Sequence, residues 1–204
     1  MVQKKKPEIR DGILEAAGAL FRERGYANAT MSAIARRANT SPANIYVYFG
    51  SKLDILLAVY EPWLRDRIEG LEARAEGVTD PEARIRLVLR TLWREIPADD
   101  NHFARNLSQA LSTGAREARD AATLRRWCEA RVGEILSDAL PDGRRDIVCT
   151  EALGHLVISI FDGVTLSCDG GASGERLEAV AELFAVLLLG QGAAVERAAG
   201  DPRP

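Results

Sequence analysis

A chain of 204 residues, 47% of them hydrophobic, is long and apolar enough to bury a sizeable core in one or two domains, which excludes a disordered tail. No apolar run is long enough to span a bilayer, and the basic N-terminus MVQKKKPEIR has no apolar stretch behind it, so the expected compartment is the cytoplasm. The net charge of -3 hides an asymmetry: residues 1 to 53 carry nine Lys/Arg against four Asp/Glu, or +5, which leaves -8 for the remainder. A basic end of that kind attracts phosphates, while the acidic remainder is repelled by a duplex and points away from it.

The first predicted helix runs from Pro7 or Glu8 to Arg24, with Ile9, Ile13, Ala17, Leu20 and Phe21 as its apolar stripe and Gly25 closing it. Two short helical patterns follow. Thr30 is a good N-cap for the first, in which Ile34, Ala35 and Ala38 share one face and Arg36 and Arg37 the other. Asn39, Thr40 and Ser41 break the pattern; Asn tolerates the left-handed backbone of a tight corner, and Ser41-Pro42 is a cap followed by a first-turn residue. The second pattern buries Ile45 and Phe49, four apart, and leaves Pro42, Ala43, Asn44, Tyr46 and Tyr48 free. Two short helices about such a corner are the sequence form of a helix-turn-helix DNA reader. Asn44 can pair with adenine, Tyr46 and Ala43 can pack on a thymine methyl, Pro42 shapes the approach, and Ser32 reaches toward a base edge. Thr30, Thr40, Ser41, Tyr48 and Lys52 are the candidate phosphate contacts.

The order of these residues resembles the N-terminal domain of the TetR family of bacterial transcriptional regulators. The resemblance covers roughly residues 8 to 60: the segment LFRERGYANAT, Met31 to Ala38, the run NIYVYFGSK and a fourth helix opening at Lys52. Two departures are Asn39, where members often have Gly, and Tyr48, where they frequently have His. The resemblance implies a homodimer and, as the family's usual mode, repression.

Beyond Lys52 the fourth helix carries Leu53, Leu56, Leu57, Tyr60 and Leu64, passes from the reader into the rest of the chain, and meets Pro62, expected to kink or interrupt it. The domain division is 1–53 for the reader and 54–204 for a ligand-binding and dimerisation domain. A helix from Thr79-Asp80-Pro81-Glu82 to Pro97 carries Ile85, Val88, Leu89 and Leu92; a shorter one spans Asn101 to Ser112 with Phe103, Leu107 and Leu111. A charge-rich helix from Ala115 ends at Pro141-Asp142-Gly143. The last two, Arg144 to Cys168 and Gly174 to Ala198, are apolar around much of their circumference and need a partner subunit to cover them. Leu156, Ile160, Val164, Val180, Phe184 and Leu187 are the candidate dimer contacts. With no strand alternation, the expected fold is all-α with about nine helices.

Trp63, Trp93, Phe103, Leu107, Trp127 and Phe161, with His155 and Ser159, are the candidate ligand pocket, the aromatics being equally suited to lining a cavity or to filling one. His155, Ser159 and Asp162 can share a helix face; a buried histidine with a hydrogen-bond partner is the plainer account of His155. Cys128, Cys149 and Cys168 fit neither a disulfide framework nor a metal pattern and read as reduced core thiols. No metal, cofactor or catalytic residue is expected, because two histidines leave few bases and no nucleophile elbow is present. The sequence predicts a dimeric DNA-binding regulator of a palindromic operator, released by a small apolar or aromatic ligand. A structural DNA-binding protein with a solid C-terminal core and no inducer stays open, and an enzyme is disfavoured.

Overall fold

The computed structural model describes residues 6–99, 101–112, 119–167 and 173–190, which form ten α-helices and one π-helical turn. They are α1 (Pro7–Asn28), α2 (Met31–Arg37), α3 (Pro42–Tyr48), α4 (Lys52–Glu76), α5 (Pro81–Arg90), a π turn (Thr91–Glu95), α6 (Phe103–Ser112), α7 (Arg119–Ala139), α8 (Asp142–Arg145), α9 (Thr150–Ser167) and α10 (Ser173–Leu189). No strand occurs among the described residues.

The extra helix comes from the stretch expected to be continuous from Arg144. Its apolar run Ile147-Val148-Cys149 completes no buried stripe: Ile147 is 72% exposed and Cys149 is exposed too. The chain turns after the single-turn α8, and α9 restarts at Thr150, whose hydroxyl bonds to Ser137 Oγ at 3.3 Å. The helix begun by the Asp80 cap likewise ends early, at Arg90, and widens into the π turn before Pro97. Pro62 does not divide α4, which runs through it for 25 residues.

The two short helices α2 and α3, and the start of the long α4, form because their N-terminal ends are satisfied locally. Thr30 Oγ1 accepts the amide of Ala33, Ser41 Oγ that of Asn44 and Ser51 Oγ that of Asp54, each at 3.1 Å. Ile13, Phe21, Ile34, Ile45 and Phe49 close the core they make with α1. Through Leu53 and Leu56 that core continues along α4 to Leu64, Ile68, Val88 and Val132. Farther on, α7 and α9 cross closely enough that a Cβ on Gly154 would lie 1.9 Å from Glu129 O, and one on Gly133 2.4 Å from Thr150 O. Trp93, from the π turn, is fully buried; its indole N–H donates to Val157 O at 3.2 Å and its ring meets Phe184 edge-on at 5.8 Å.

Candidate nucleic-acid interface

The corner between α2 and α3 is built as its residue types demand. Asn39 takes φ +50°, the left-handed region an asparagine tolerates, and the next amide, Thr40 N–H, donates back to Ala35 O at 2.9 Å. Ser41 then caps α3 with Pro42 in the first turn. Ile45 is fully buried and Phe49 nearly so, under the Arg10 guanidinium 5.5 Å from its ring centre. This anchoring turns the opposite face outward: Pro42, Ala43 and Tyr46 are exposed, Tyr46 by 57%, and so is Ser32 on α2.

The remaining candidates are partly engaged. Asn44 is half-buried, and its Nδ2 donates to Thr40 Oγ1 at 2.8 Å, so pairing with adenine requires that bond to open. Thr30 and Ser41 accept backbone amides but keep their own hydroxyl hydrogens to donate. Tyr48 is half-buried, its hydroxyl accepting the amide of Lys6 at 3.0 Å. Lys52 differs most from an outward phosphate contact: its Nζ donates to Tyr26 O at 2.7 Å and lies 4.1 Å above the Tyr26 ring, tying α4 to the end of α1. Burial there holds the ammonium below the usual lysine range and pushes the Tyr26 phenol up. Arg37 pairs with Glu23 at 2.7 Å, whereas Arg36, left out of the expected contacts, is exposed beside the reader.

The residues expected to line a pocket divide among three places. Trp63 packs with Phe103, centroids 5.3 Å apart, and Tyr60 joins the same ring at 5.2 Å. Leu107 and Phe161 are buried in the core, as is Trp93. Trp127 is half-buried under the Arg65 guanidinium, 4.1 Å from its ring centre. His155 is exposed rather than buried, with Nδ1 2.9 Å from Glu129 Oε1; Ser159, also exposed, and Asp162 bond to Arg125 of α7. The tight α7–α9 crossing explains this, because Leu153, Val157 and Phe161 take the inward face and leave His155 and Ser159 outside. A cleft of about 430 Å³ lies between α5, the π turn and α10, floored by Leu87, Trp93, Leu177 and Ala181. Of the candidates only Trp93 reaches it. Its rim is bridged by Arg86–Glu182 at 2.6 Å and Arg94–Glu178 at 3.3 Å, pairs nothing in the spacing of the sequence brings together.

Cys128 is a buried thiol as expected, pushed up to about 12 by that burial; Cys149 is not a core thiol, and Cys168 lies outside the described residues. No helix among the described residues is long and apolar enough to cross a membrane.

Residues 13–59, the reader and its flanks, match the family described as bacterial regulatory proteins, tetR family. These N-terminal residues are similar to the TetR family. The chain is 27% identical over 132 residues to the transcriptional activator FasR of Mycolicibacterium smegmatis, covering 65% of itself and 60% of FasR. It is 40% identical over 78 residues to the transcriptional regulator HbdR of an Aromatoleum species, 38% of itself and 34% of HbdR. The matches thus span less than two thirds of these relatives. The fold is similar to that of FadR from Thermus thermophilus, a TetR-family repressor solved with lauroyl-CoA: TM-score 0.63 at 20% identity, covering 96% of this chain and 98% of that one.

Proposed function

We propose that the protein is a sequence-reading, DNA-binding transcriptional regulator that acts as a homodimer on a palindromic operator and is controlled by a small molecule. The outward face of α3 carries this reading: a capped, buried-side-anchored helix presents Pro42, Ala43 and Tyr46, with Asn44 beside them, on the basic part of the chain. Ser32 completes the base contacts; Thr30, Thr40, Ser41 and Tyr48 hold phosphates, and Lys52 contributes by fixing α4 against α1. Residues 1–53 are the reading domain, and 54–204 bind ligand and partner.

Two-fold pairing is supported by α9 and α10. Leu156 is exposed, and Val180, Leu183 and Leu187 form an exposed stripe along α10, with Ile160 and Phe184 half-buried near it. Val164 does not belong to that face, being buried within its own subunit. Leu183, absent from the sequence expectation, takes its place. The ligand is an apolar small molecule, the class that includes the acyl part of FadR's lauroyl-CoA, and binding it loosens operator binding; by linkage the operator complex then binds ligand more weakly. Neither metal nor cofactor takes part, the protein is not an enzyme, and it works in the cytoplasm. The buried thiolate-disfavouring site of Cys128 and the exposed setting of His155, with Nδ1 within hydrogen-bond distance of Glu129, support the absence of catalysis.

The test is selection of duplexes from a random library by the purified protein and by Tyr46→Ala. A palindromic consensus is expected, with affinity on the order of tenfold weaker in the variant at unchanged stability. No enriched sequence from the folded wild type overturns sequence reading and leaves an architectural DNA binder, recognisable by a steep salt slope that is equal on all duplexes.

A further inference from the structure

The end of α1 that leads into the reader is held from outside the reader. At Gly25 the backbone turns to φ +74°, leaves the helical path and resumes for a last turn to Asn28, two residues before the Thr30 cap of α2. In that turn the Ala27 amide donates to Gln109 Oε1 of α6 at 3.1 Å. The seat is tight: a Cβ on Gly25 would stand 2.8 Å from the same oxygen. Glycine here serves both the left-handed backbone and the approach of the carboxamide.

The other end of α6 is bound to α4. His102 sits at φ +65°, and its carbonyl accepts both the amide of Asn106, at 3.0 Å, and Asn106 Nδ2, at 2.9 Å. Asn106 is fully buried, and its Nδ2 also reaches the Tyr60 hydroxyl of α4 at 3.3 Å; that hydroxyl donates to Asn101 O at 2.9 Å. Arg67 of α4 pairs with Asp99 at 2.8 Å beside the same junction. So α6 is a strut, gripped by α4 where Tyr60 and Trp63 pack on Phe103, and hydrogen-bonded at Gln109 to the turn that enters α2.

Resting on the DNA-reading proposal above, we infer that Gln109 is a positioning residue that latches the reader to the helical body, so that a shift of α6 reorients α2 and α3. This attachment is separate from α4, which reaches the reader through Lys52 and Leu53. A single neutral hydrogen bond suits such a latch, being strong enough to bias an orientation and weak enough to release.

The experiment uses the full chain as wild type, Gln109→Leu, which keeps bulk but loses the acceptor, and Gln109→Glu, which keeps an acceptor oxygen. Amide exchange is followed along the chain, together with affinity for the selected duplex and the thermal midpoint. In Gln109→Leu, exchange at Ala27 and across residues 30–50 rises by about tenfold, α7 and α9 keep their protection, the midpoint holds, and duplex affinity falls by about three- to tenfold. Gln109→Glu restores the exchange pattern to within about twofold; it is read on exchange alone, because its added charge repels phosphate. Unchanged Ala27 exchange in Gln109→Leu overturns the latch, and faster exchange with unaltered duplex affinity overturns its positioning role. Should the wild type select no duplex, DNA reading fails by itself. The latch is then decided by exchange over residues 30–50, where no difference between wild type and Gln109→Leu overturns it.

Discussion

Single side chains decide whether α3 stands ready to be used. Ser41 Oγ supplies the bond that the Asn44 amide would otherwise lack, so Ser41→Ala costs about 1 kcal/mol of stability. Thermal unfolding and duplex titration check this: the midpoint falls modestly, and duplex affinity falls with it because the capped turn carries Pro42 and Ala43. Cys128 makes a different residue-scale prediction. Its thiol stays protonated well above the ordinary 9.0, at about 12, because burial opposes the thiolate. The folded chain therefore keeps a proton that the unfolded chain gives up, so this contribution to stability is fully present below pH 9. It is lost as pH rises toward 12, with a slope of up to about 1.4 kcal/mol per pH unit. Of Cys128 and Cys149, iodoacetamide at pH 8 is expected to modify exposed Cys149 alone until denaturant is added, as mass spectrometry of the digested protein would show.

At the scale of elements, the firmest prediction concerns the α7–α9 crossing. A methyl on Gly154 would collide with backbone, Glu129 O, which no rotamer change relieves, so Gly154→Ala separates the two helices and costs about 3 kcal/mol or more. Gly70→Ala, in the exposed middle of α4 with nothing near its added methyl, is the control and is expected to be neutral or slightly stabilising in the same urea titration. The ion pairs that join α5 and the π turn to α10 rank far below this. Arg86–Glu182 and Arg94–Glu178 have both partners more than two-fifths exposed, and such pairs contribute about 0–1 kcal/mol each. The apolar floor of Leu87, Trp93, Leu177 and Ala181 is the larger contribution to holding α10 in place.

For the whole molecule, the proposed homodimer rests on the exposed stripe of Val180, Leu183 and Leu187. Leu183→Arg combined with Leu187→Arg places two charges where a partner's apolar face would lie, while both side chains remain in solvent within the subunit. Sedimentation is expected to show half the mass of the wild type with helical content preserved. Affinity for a palindromic duplex is expected to fall by about a hundredfold or more as the two readers lose their linkage. A variant that stays dimeric would place the interface elsewhere on the surface.

The reader was legible in the chain by itself, since the caps, the corner and the buried spacing that mark it all act within a few residues. Thr30 and Ser41 cap the next turn, Asn39 accepts the left-handed corner, Pro42 starts α3, and the spacing of Ile45 and Phe49 sets which side is buried. All-helical architecture followed from the same periodicities, though Ile147-Val148-Cys149 passed for helix because apolar letters do not say whether anything lies opposite them. Tertiary structure decided the rest, because burial belongs to pairs of elements. It turned Val164 inward and His155 outward, distributed the aromatic residues between core and surface, and spent Lys52 on the Tyr26 carbonyl. It also brought Gln109 to Ala27 across 82 positions of chain, a meeting that no local pattern encodes.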